Sequence, residues 1–308
     1  MILPPRRTAV VVAFHRPGSL APLLAALTDP RLVVVVVNVE CDDAVAAVAR
    51  EHGGIVVDLP GNPGYAAAVN AGVAASAGAD DDVVVFLNDD CRISATELLA
   101  LAAVVERGEA DVAVPRVVDG QGRLERTIAA VPTPGSLARE WMLLPDTPVR
   151  ALQGSVRVEK WRAPTTPERI DAAAAVVVAA RRGLLRDLPL PERYFLYWEE
   201  SEWFWRLRQR RAVVQYRPDT TCVHIGGRDD VRQEKSRLLA RNAVRCVRVT
   251  QGRGAGMLAW FVVLGWNLRL VAVDALRTAL HPGEVRRARL RARVAGLGAA
   301  GAGWRELG

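Results

Sequence analysis

Three short stretches carry the side chains that can do chemistry. Residues 194–206 read YFLYWEESEWFWR, with Glu199, Glu200 and Glu202 set among Tyr194, Phe195, Tyr197, Trp198, Trp203, Phe204 and Trp205. Aromatics at that density belong in a core and carboxylates at that density on a surface. The stretch is therefore either a solvated helix start or an acid–base cluster, and an aromatic wall raises a carboxylate's pKa toward that of a useful base. Residues 87–91, LNDDC, set Asn88, Asp89 and Asp90 directly after an apolar run. Oxygen ligands with a one-residue gap, such as Asn88 and Asp90, suit a hard divalent ion, Mg²⁺ or Mn²⁺, that in turn holds a diphosphate. The same residues equally suit an Asx turn between strand and helix. His224, in VHIGG, is the third candidate. A lone histidine is more often a structural hydrogen-bonder than a ligand, and His224 gains weight only if Asp90 and the acidic stretch converge on it.

Positioning these groups requires a scaffold, and the first 115 residues supply an alternating pattern. The runs AVVVAF (9–14), LVVVVVN (32–38), GGIVVDL (53–59), DVVVFLNDD (82–90) and DVAVPRV (111–117) read as strands, the first buried and the second of the type buried on both faces. Between them lie helix-like segments, including SATELLALAAVVE with its serine in N-cap position. Strand and helix in alternation predict a doubly wound α/β sheet, Rossmann-like and mostly parallel, flanked by helices. Ligands in such sheets bind beyond the carboxyl ends of the strands, which directs attention to His15, Asn38 to Asp43, Asn62 to Tyr65 and Asn88 to Asp90.

GNPGYAAAVNAG joins a glycine-rich turn to a helix N-terminus, a cradle for phosphate or sugar or an ordinary loop-to-helix junction. Asn70 on this alanine helix needs a partner if buried. Residues 118–168, rich in proline and without periodicity, are expected to form hairpins and loops over the site. A strand over 172–182 follows, and then a helix from the acidic stretch to about Arg210. On that helix Glu199 and Glu202 share a face, Glu202 is spaced to pair with Arg206, and Glu200 points about 100° away from Glu199. A last strand over 212–218 leaves His224 beyond its end. The organisation expected is a catalytic domain over 1–230, with halves 1–117 and 118–230, and a helical, basic C-terminal extension over 231–308.

The chain has 308 residues, half of them apolar, enough for one large core. Its four cysteines are scattered without a CxxC pair, which excludes a disulfide framework or a zinc site and suits a reducing cytoplasm. The N-terminal MILPPRRTAVVVAF lacks the pattern of a signal peptide. The net charge of +7 is almost entirely arginine, but the arginines are not interleaved with aromatics on one module, so no nucleic-acid partner is expected. In the tail, MLAWFVVLGWNLRLVAV (257–273) is apolar but broken by Asn267 and Arg269, too short uncharged for a span of ~20 residues. Arg286, Arg287, Arg289, Arg291 and Arg293 follow. The tail reads as a helix packed on the catalytic domain or on a second subunit of a homodimer, or as a segment lying on an anionic membrane surface. Packing is the preferred reading.

Taken in order, VVVAFHRP, GNPGYAAAVNAG, FLNDD, ERYFLYWEESEWFWRLR and VHIGG resemble the family 2 glycosyltransferases of the GT-A fold, in particular the rhamnosyltransferase-like branch, over roughly residues 8–250. The resemblance implies a GT-A type α/β domain and an inverting transfer without a covalent intermediate. The donor would be a nucleotide sugar, dTDP-rhamnose or a related deoxysugar nucleotide. The acceptor would be a hydroxyl of a glycan, a lipid-linked glycan or a small-molecule secondary metabolite. It also implies Mg²⁺ or Mn²⁺, with Asp90 of the DxD-type element, Asn88 or Asp89 beside it, and His224 near the metal and diphosphate. Ala13 and His15 of the first strand would belong to the donor site. Asn38 with Glu40 and Asp42 would lie by the base, and Asn62, Gly64 and Asn70 would line the donor pocket. Glu200 would be the general base, with Glu199 as its substitute. The implied location is the cytoplasm, at the inner membrane face if the tail lies on lipid.

The chain departs from the family pattern at Asn38, where an aspartate is usual, at Ala175 for a glycine, at Pro191-Glu192 for Asp-Glu, and at Glu200 for an aspartate. These changes point to an altered donor or acceptor. Two other functions compete. A nucleotidyltransferase making the sugar nucleotide is disfavoured because the first strand ends in AFHRPGS rather than a glycine-rich loop with arginine and lysine. A non-catalytic carbohydrate- or partner-binding module is disfavoured because Asp90, Glu200 and His224 are all present.

Overall fold

A computed structural model of the chain describes residues 6–142, 164–226, 232–284, 286–291 and 294. In chain order its strands are β1 (Arg7–Ala13), β2 (Leu32–Val39), β3 (Ile55–Leu59), β4 (Val83–Asn88), β5 (Cys91–Arg92) and β6 (Val112–Asp119), followed by β7 (Ile128–Ala129), β8 (Glu168–Arg169), β9 (Ala172–Ala173), β10 (Val177–Arg181) and β11 (Val214–His224). The β-branched runs pair as expected, with β3, β2, β1 and β4 parallel and adjacent in that order; β3 is the edge strand and only partly buried, with Ile55 exposed. Beyond β4 the sheet becomes mixed. β10 enters antiparallel between β4 and β6, β11 lies parallel to β6, and short β5 pairs with the end of β11. Together with β8 this makes a nine-stranded sheet, and β7 with β9 forms a separate two-stranded ribbon.

Alternation along β1 sends Ala9, Val11 and Ala13 into one layer, with Leu20, Leu23 and Leu24 of α1 (Pro17–Ala26), Val45 of α2 (Asp43–Glu51) and Leu98 and Leu101 of α4 (Ala95–Glu106). Val10 faces the other layer, with Ala66 and Val69 of α3 (Tyr65–Ala75), Leu185 of α6 (Arg182–Asp187) and Trp203 and Phe204 of α7 (Glu199–Gln209). Strands buried on both faces read as continuous apolar runs because neither side meets water. α3 lies close to the sheet. A Cβ on Gly72 would fall 2.3 Å from Val10 Cγ1 and 2.8 Å from Val37 Cγ2, so glycine is required there. α2 starts where Asp42 accepts from the Ala44 and Val45 amides, and α4 where Ser94 and Glu97 form a capping box.

Two expectations change. β11 does not stop near residue 218. A register shift between Arg217 and Thr221 carries it past Pro218, so His224 is its last residue. Part of the proline-rich segment is helical, as α5 (Pro134–Met142), with Pro134 in the first turn, where a missing N–H costs nothing. The loops expected over 143–163, and Arg293, lie outside the described residues.

By internal contacts the chain divides into two compact units, Met1–Ala130 with Glu159–Arg228, and Val131–Val158 with Asp229–Gly308. The helix α5 thus groups with the C-terminal helices. In the second unit α9 (Arg253–Leu280) packs on α8 (Arg232–Gln251) and on α5, and buries Gly256, Ala259, Val263 and Asp274.

Candidate active site

The parallel strands end together, so Ala13, Asn38, Asn88 and His224 come to one edge of the sheet; β10, running the other way, begins there. Backbone pairing then brings two distant segments into contact. His224 is the register partner of Cys91, and the Ile225 amide donates to Asp90 O at 2.9 Å. This pairing sets the His224 Nε2 3.3 Å from Asp90 Oδ1.

That approach is an ion pair and not an aligned hydrogen bond, and Asp90 Oδ1 is a buried oxygen with no hydrogen-bond partner. The other oxygen, Oδ2, accepts from Arg16 Nη1 at 3.2 Å. Burial pushes the Asp90 carboxyl up, but His224 and Arg16 more than offset this and hold it below the usual range. Contact with Asp90, assisted by Glu125 at 3.0 Å from Nδ1, raises His224 to about 9. Asp89 behaves oppositely. It is buried, accepts from the Phe14 amide at 3.2 Å, and is pushed up to about 6, chiefly by desolvation.

The acidic segment is organised by the backbone before it. Tyr197 and Trp198 both adopt left-handed conformations, φ 68° and 76°. Such non-glycine residues cost about 1–3 kcal/mol each and cluster at functional sites. Here His15, Glu40 and Cys41 share the feature at the ends of β1 and β2. Glu199 is buried, its Oε2 has no hydrogen-bond partner, and burial, then Glu200, raises its pKa well above the ordinary range. Glu200 is partly exposed. The desolvation expected for Glu200 therefore falls on Glu199, because the turn at Tyr197 and Trp198 directs the first residue of α7 inward. Glu202 does not pair with Arg206. It accepts from the Tyr194 hydroxyl at 2.8 Å with Arg193 at 3.5 Å, while Arg206 donates to Pro189 O.

Tyr65 links the two acidic clusters. Its hydroxyl donates to Ala175 O at 3.1 Å, and its pKa is pushed well up by burial and then by Cys91, Glu199, Glu200 and Asp90. One phenol thus stands within electrostatic reach of the acidic pair and of Asp90.

Several other expected site residues turn out to organise the backbone. Asn38 is buried, donates to Asp42 O and to Asp58 Oδ1, and accepts from the Asp42 amide. Every polar atom of its side chain is thereby used by the loop after β2 and by Asp58 of the neighbouring β3. The Ala13 side chain lies in the core. Asn62 accepts from the Gly64 amide at 3.1 Å, and Phe195 O accepts from the Tyr65 amide at 3.1 Å. These two N–H groups at the start of α3 are therefore not available to a phosphate. Asn70 does not face that turn. Its amide donates to Leu190 O and Glu192 Oε1, and its oxygen accepts from the Leu190 amide. A shallow groove beside it, lined by Arg182, Arg186 and Pro189 among others, contains none of the acids above. Asp42, capping α2, also accepts from His15 Nδ1 at 2.7 Å, and Glu40 accepts from Nε2 at 2.8 Å. These two carboxylates raise the His15 pKa.

Arg16 and Glu125 were not among the sequence candidates, and Tyr65 entered only as the last residue of the stretch Asn62 to Tyr65, without a role. Arg16 lies inside the motif AFHRP, so its signal was present but attached to other residues. Glu125 sits in the aperiodic segment after β6, which offers no signal.

Among the described residues no three His, Cys, Asp or Glu side chains are arranged to hold a metal. Asp90 and His224, with a buried Asp90 oxygen that has no aligned hydrogen bond, would still fit a hard divalent ion that completes its shell with phosphate and water.

The family described as "Glycosyl transferase family 2" matches residues 8–151, just under half of the chain. No curated protein matches. Among solved structures, glucosyl-3-phosphoglycerate synthase from Mycobacterium tuberculosis in complex with phosphoglyceric acid is similar at 17% identity and a TM-score of 0.54, covering 80% of each chain. The same enzyme with Mn²⁺, uridine diphosphate and glucosyl-3-phosphoglycerate gives 18% and 0.53, again over 80% of each chain. GalNAc-T7 with UDP, GalNAc and Mn²⁺ gives 14% and 0.53 over 90% of this chain and 58% of that one. At these identities the likeness establishes the GT-A type fold.

Proposed function

We propose that this chain is a family 2 glycosyltransferase that moves a sugar from a nucleoside-diphosphate donor to an acceptor hydroxyl, with inversion. The observation that carries the reading is the meeting of Asp90 and His224, 3.3 Å apart, at the carboxyl edge of the parallel strands. The match to the family over residues 8–151 supports it.

In this reading Asp90 and His224 would hold Mg²⁺ or Mn²⁺ together with the donor diphosphate. When bound, the ion offsets the negative charge that gathers on the leaving diphosphate. Arg16 holds Asp90 in its ionised form and Glu125 orients the His224 ring. The nucleoside lies over the ends of β1 and β2, by His15 and Glu40. Glu200 accepts the acceptor hydroxyl's proton as the new C–O bond forms and the bond to the diphosphate breaks, worth about 10²–10⁴-fold. Of the two adjacent carboxylates Glu199 is buried, which favours its protonated form, whereas Glu200 is partly exposed and can be reached by solvent and acceptor. The donor sugar is a deoxysugar such as rhamnose, and the acceptor a glycan, a lipid-linked glycan or a small metabolite. The resemblance of FLNDD and YFLYWEES to the rhamnosyltransferase-like branch supports that choice.

Thermal-shift measurements against UDP, dTDP and GDP, each with and without Mn²⁺, test the reading. A stabilisation by one nucleotide that requires Mn²⁺ is expected, strongest for dTDP. No shift with any of the three would overturn it in favour of a binding module.

A further inference from the structure

α9 is built inside out. Over its 28 residues, about 42 Å, Met257, Leu258, Phe261, Leu268, Leu276 and Leu280 are all exposed, from 44% to 66%. At about 100° per residue they share an arc of about 140°, opposite Gly256, Ala259, Val263 and Asp274, which are buried. A surface helix normally puts its apolar stripe inward. Here the inward face is small and carries an aspartate, while the solvent face is apolar apart from Arg269. Single exposed apolar residues are unremarkable, but a continuous stripe of this length marks an interaction surface.

What covers it is indicated by charge. Arg277 in the last turn of α9 and Arg286, Arg287, Arg289 and Arg291 just beyond it are exposed. Arg286 donates to His281 O at 2.7 Å, which ties this basic segment to the end of α9. From 275 to 291 Glu284 is the one acid in the sequence. Apolar side chains followed by clustered arginines match the acyl boundary and the anionic headgroups of a phospholipid leaflet. A second copy of this chain would have to bring together two such arginine clusters or leave them uncompensated.

Length and composition alone would also fit a transmembrane span, with mean hydropathy 1.6 over an 18-residue window. Arg269, stacked 5.3 Å over the Trp266 ring, and the buried Asp274 lie in its middle, and one face is occupied by α8 and α5. We propose that the solvent face of α9, with the arginines that follow it, docks on an anionic phospholipid bilayer and lies in its interface plane. This inference stands independently of the transferase reading.

The test is flotation of the full-length chain with vesicles of phosphatidylcholine alone or mixed with phosphatidylglycerol. Binding to the mixed vesicles at least about tenfold above the neutral ones is expected, weakening as salt is raised. F261S/L268S/L276S should lose binding to both compositions. R286A/R287A/R289A/R291A should lose that preference of about tenfold or more and bind the two compositions alike. All seven positions are exposed, so unchanged circular dichroism and Tm should show that both variants fold. Wild-type protein that does not float, or variants that float like wild type, would overturn the proposal. So would a dimer in light scattering that the serine variant converts to monomer without any vesicle binding, which would assign the stripe to a second copy. Carbonate-resistant insertion in cell membranes would replace a surface-lying helix with a spanning one.

Discussion

A β-carbon placed on Gly64 would fall 2.1 Å from the carbonyl oxygen of Phe195. The two residues are 131 positions apart, and the contact is sealed by the hydrogen bond from the Tyr65 amide to the same oxygen. The glycine-rich turn before α3 therefore serves as a seat for the strained segment that leads into Glu199 and Glu200. Gly64→Ala should destabilise the chain by about 2–4 kcal/mol, combining a φ of 91° with the clash. Urea denaturation reads this as a lower midpoint at unchanged slope. An unaltered midpoint would show that the turn gives way without strain.

Glu200 and Glu199 should separate by substitution. Glu200→Gln is expected to lower turnover by about 10²–10⁴-fold while nucleotide binding by calorimetry stays unchanged. Wild-type turnover in that variant would remove the base assignment.

Glu199→Gln should instead raise stability at neutral pH. Burial holds the folded-state pKa of Glu199 above its unfolded value, so the native state binds the extra proton and stability falls as pH rises from the unfolded pKa toward the folded one. The amide removes that cost, and Tm above pH ~5 should exceed wild type by about 2–4 °C for each kcal/mol recovered. The two proteins should converge below pH ~4, where both unfolded forms are neutral.

Glu125→Gln should weaken Mn²⁺-dependent nucleotide binding by about 10–100-fold, because the carboxylate at 3.0 Å from Nδ1 fixes the His224 ring. Calorimetry with and without Mn²⁺ isolates the effect, since nucleotide binding in the absence of metal should not change.

His15 lies between Glu40 and Asp42 with its pKa raised by both. Its imidazole resonances should titrate above the ordinary value of about 6.5, and Glu40→Gln or Asp42→Asn should each bring the midpoint down. Its ion pairs are complete below the unfolded pKa and are lost as pH rises through the folded one. A midpoint unmoved by either substitution would show that the contacts do not persist in solution.

Asn70→Ala should cost about 1–3 kcal/mol by leaving the Leu190 amide and carbonyl unpaired. Nucleotide affinity should be retained, since the residue holds the turn before the acidic segment and does not face the sheet edge.

The sequence by itself determined the scaffold and its working edge. Unbroken valine runs can be satisfied only inside a sheet covered on both faces, and that sheet presents its strand ends as the place for Asp90 and His15. It also marked LNDDC, YFLYWEES and His224 as chemistry, since carboxylates beside apolar runs need a reason. Tertiary structure decided which members of each cluster face what. β10 enters between β4 and β6 from far along the chain, and β11 bulges past Pro218 to bring His224 opposite Cys91; neither strand order nor a bulge leaves a local pattern. Helical periodicity separates Glu199 from Glu200 but cannot say which turns inward, because that depends on two left-handed residues before the helix. The same limit applied to Asn38 and Asn70, whose amides close loops, and to α9, whose apolar face points outward. Hydropathy records that a face is apolar; the direction it faces is set by what packs on the opposite side.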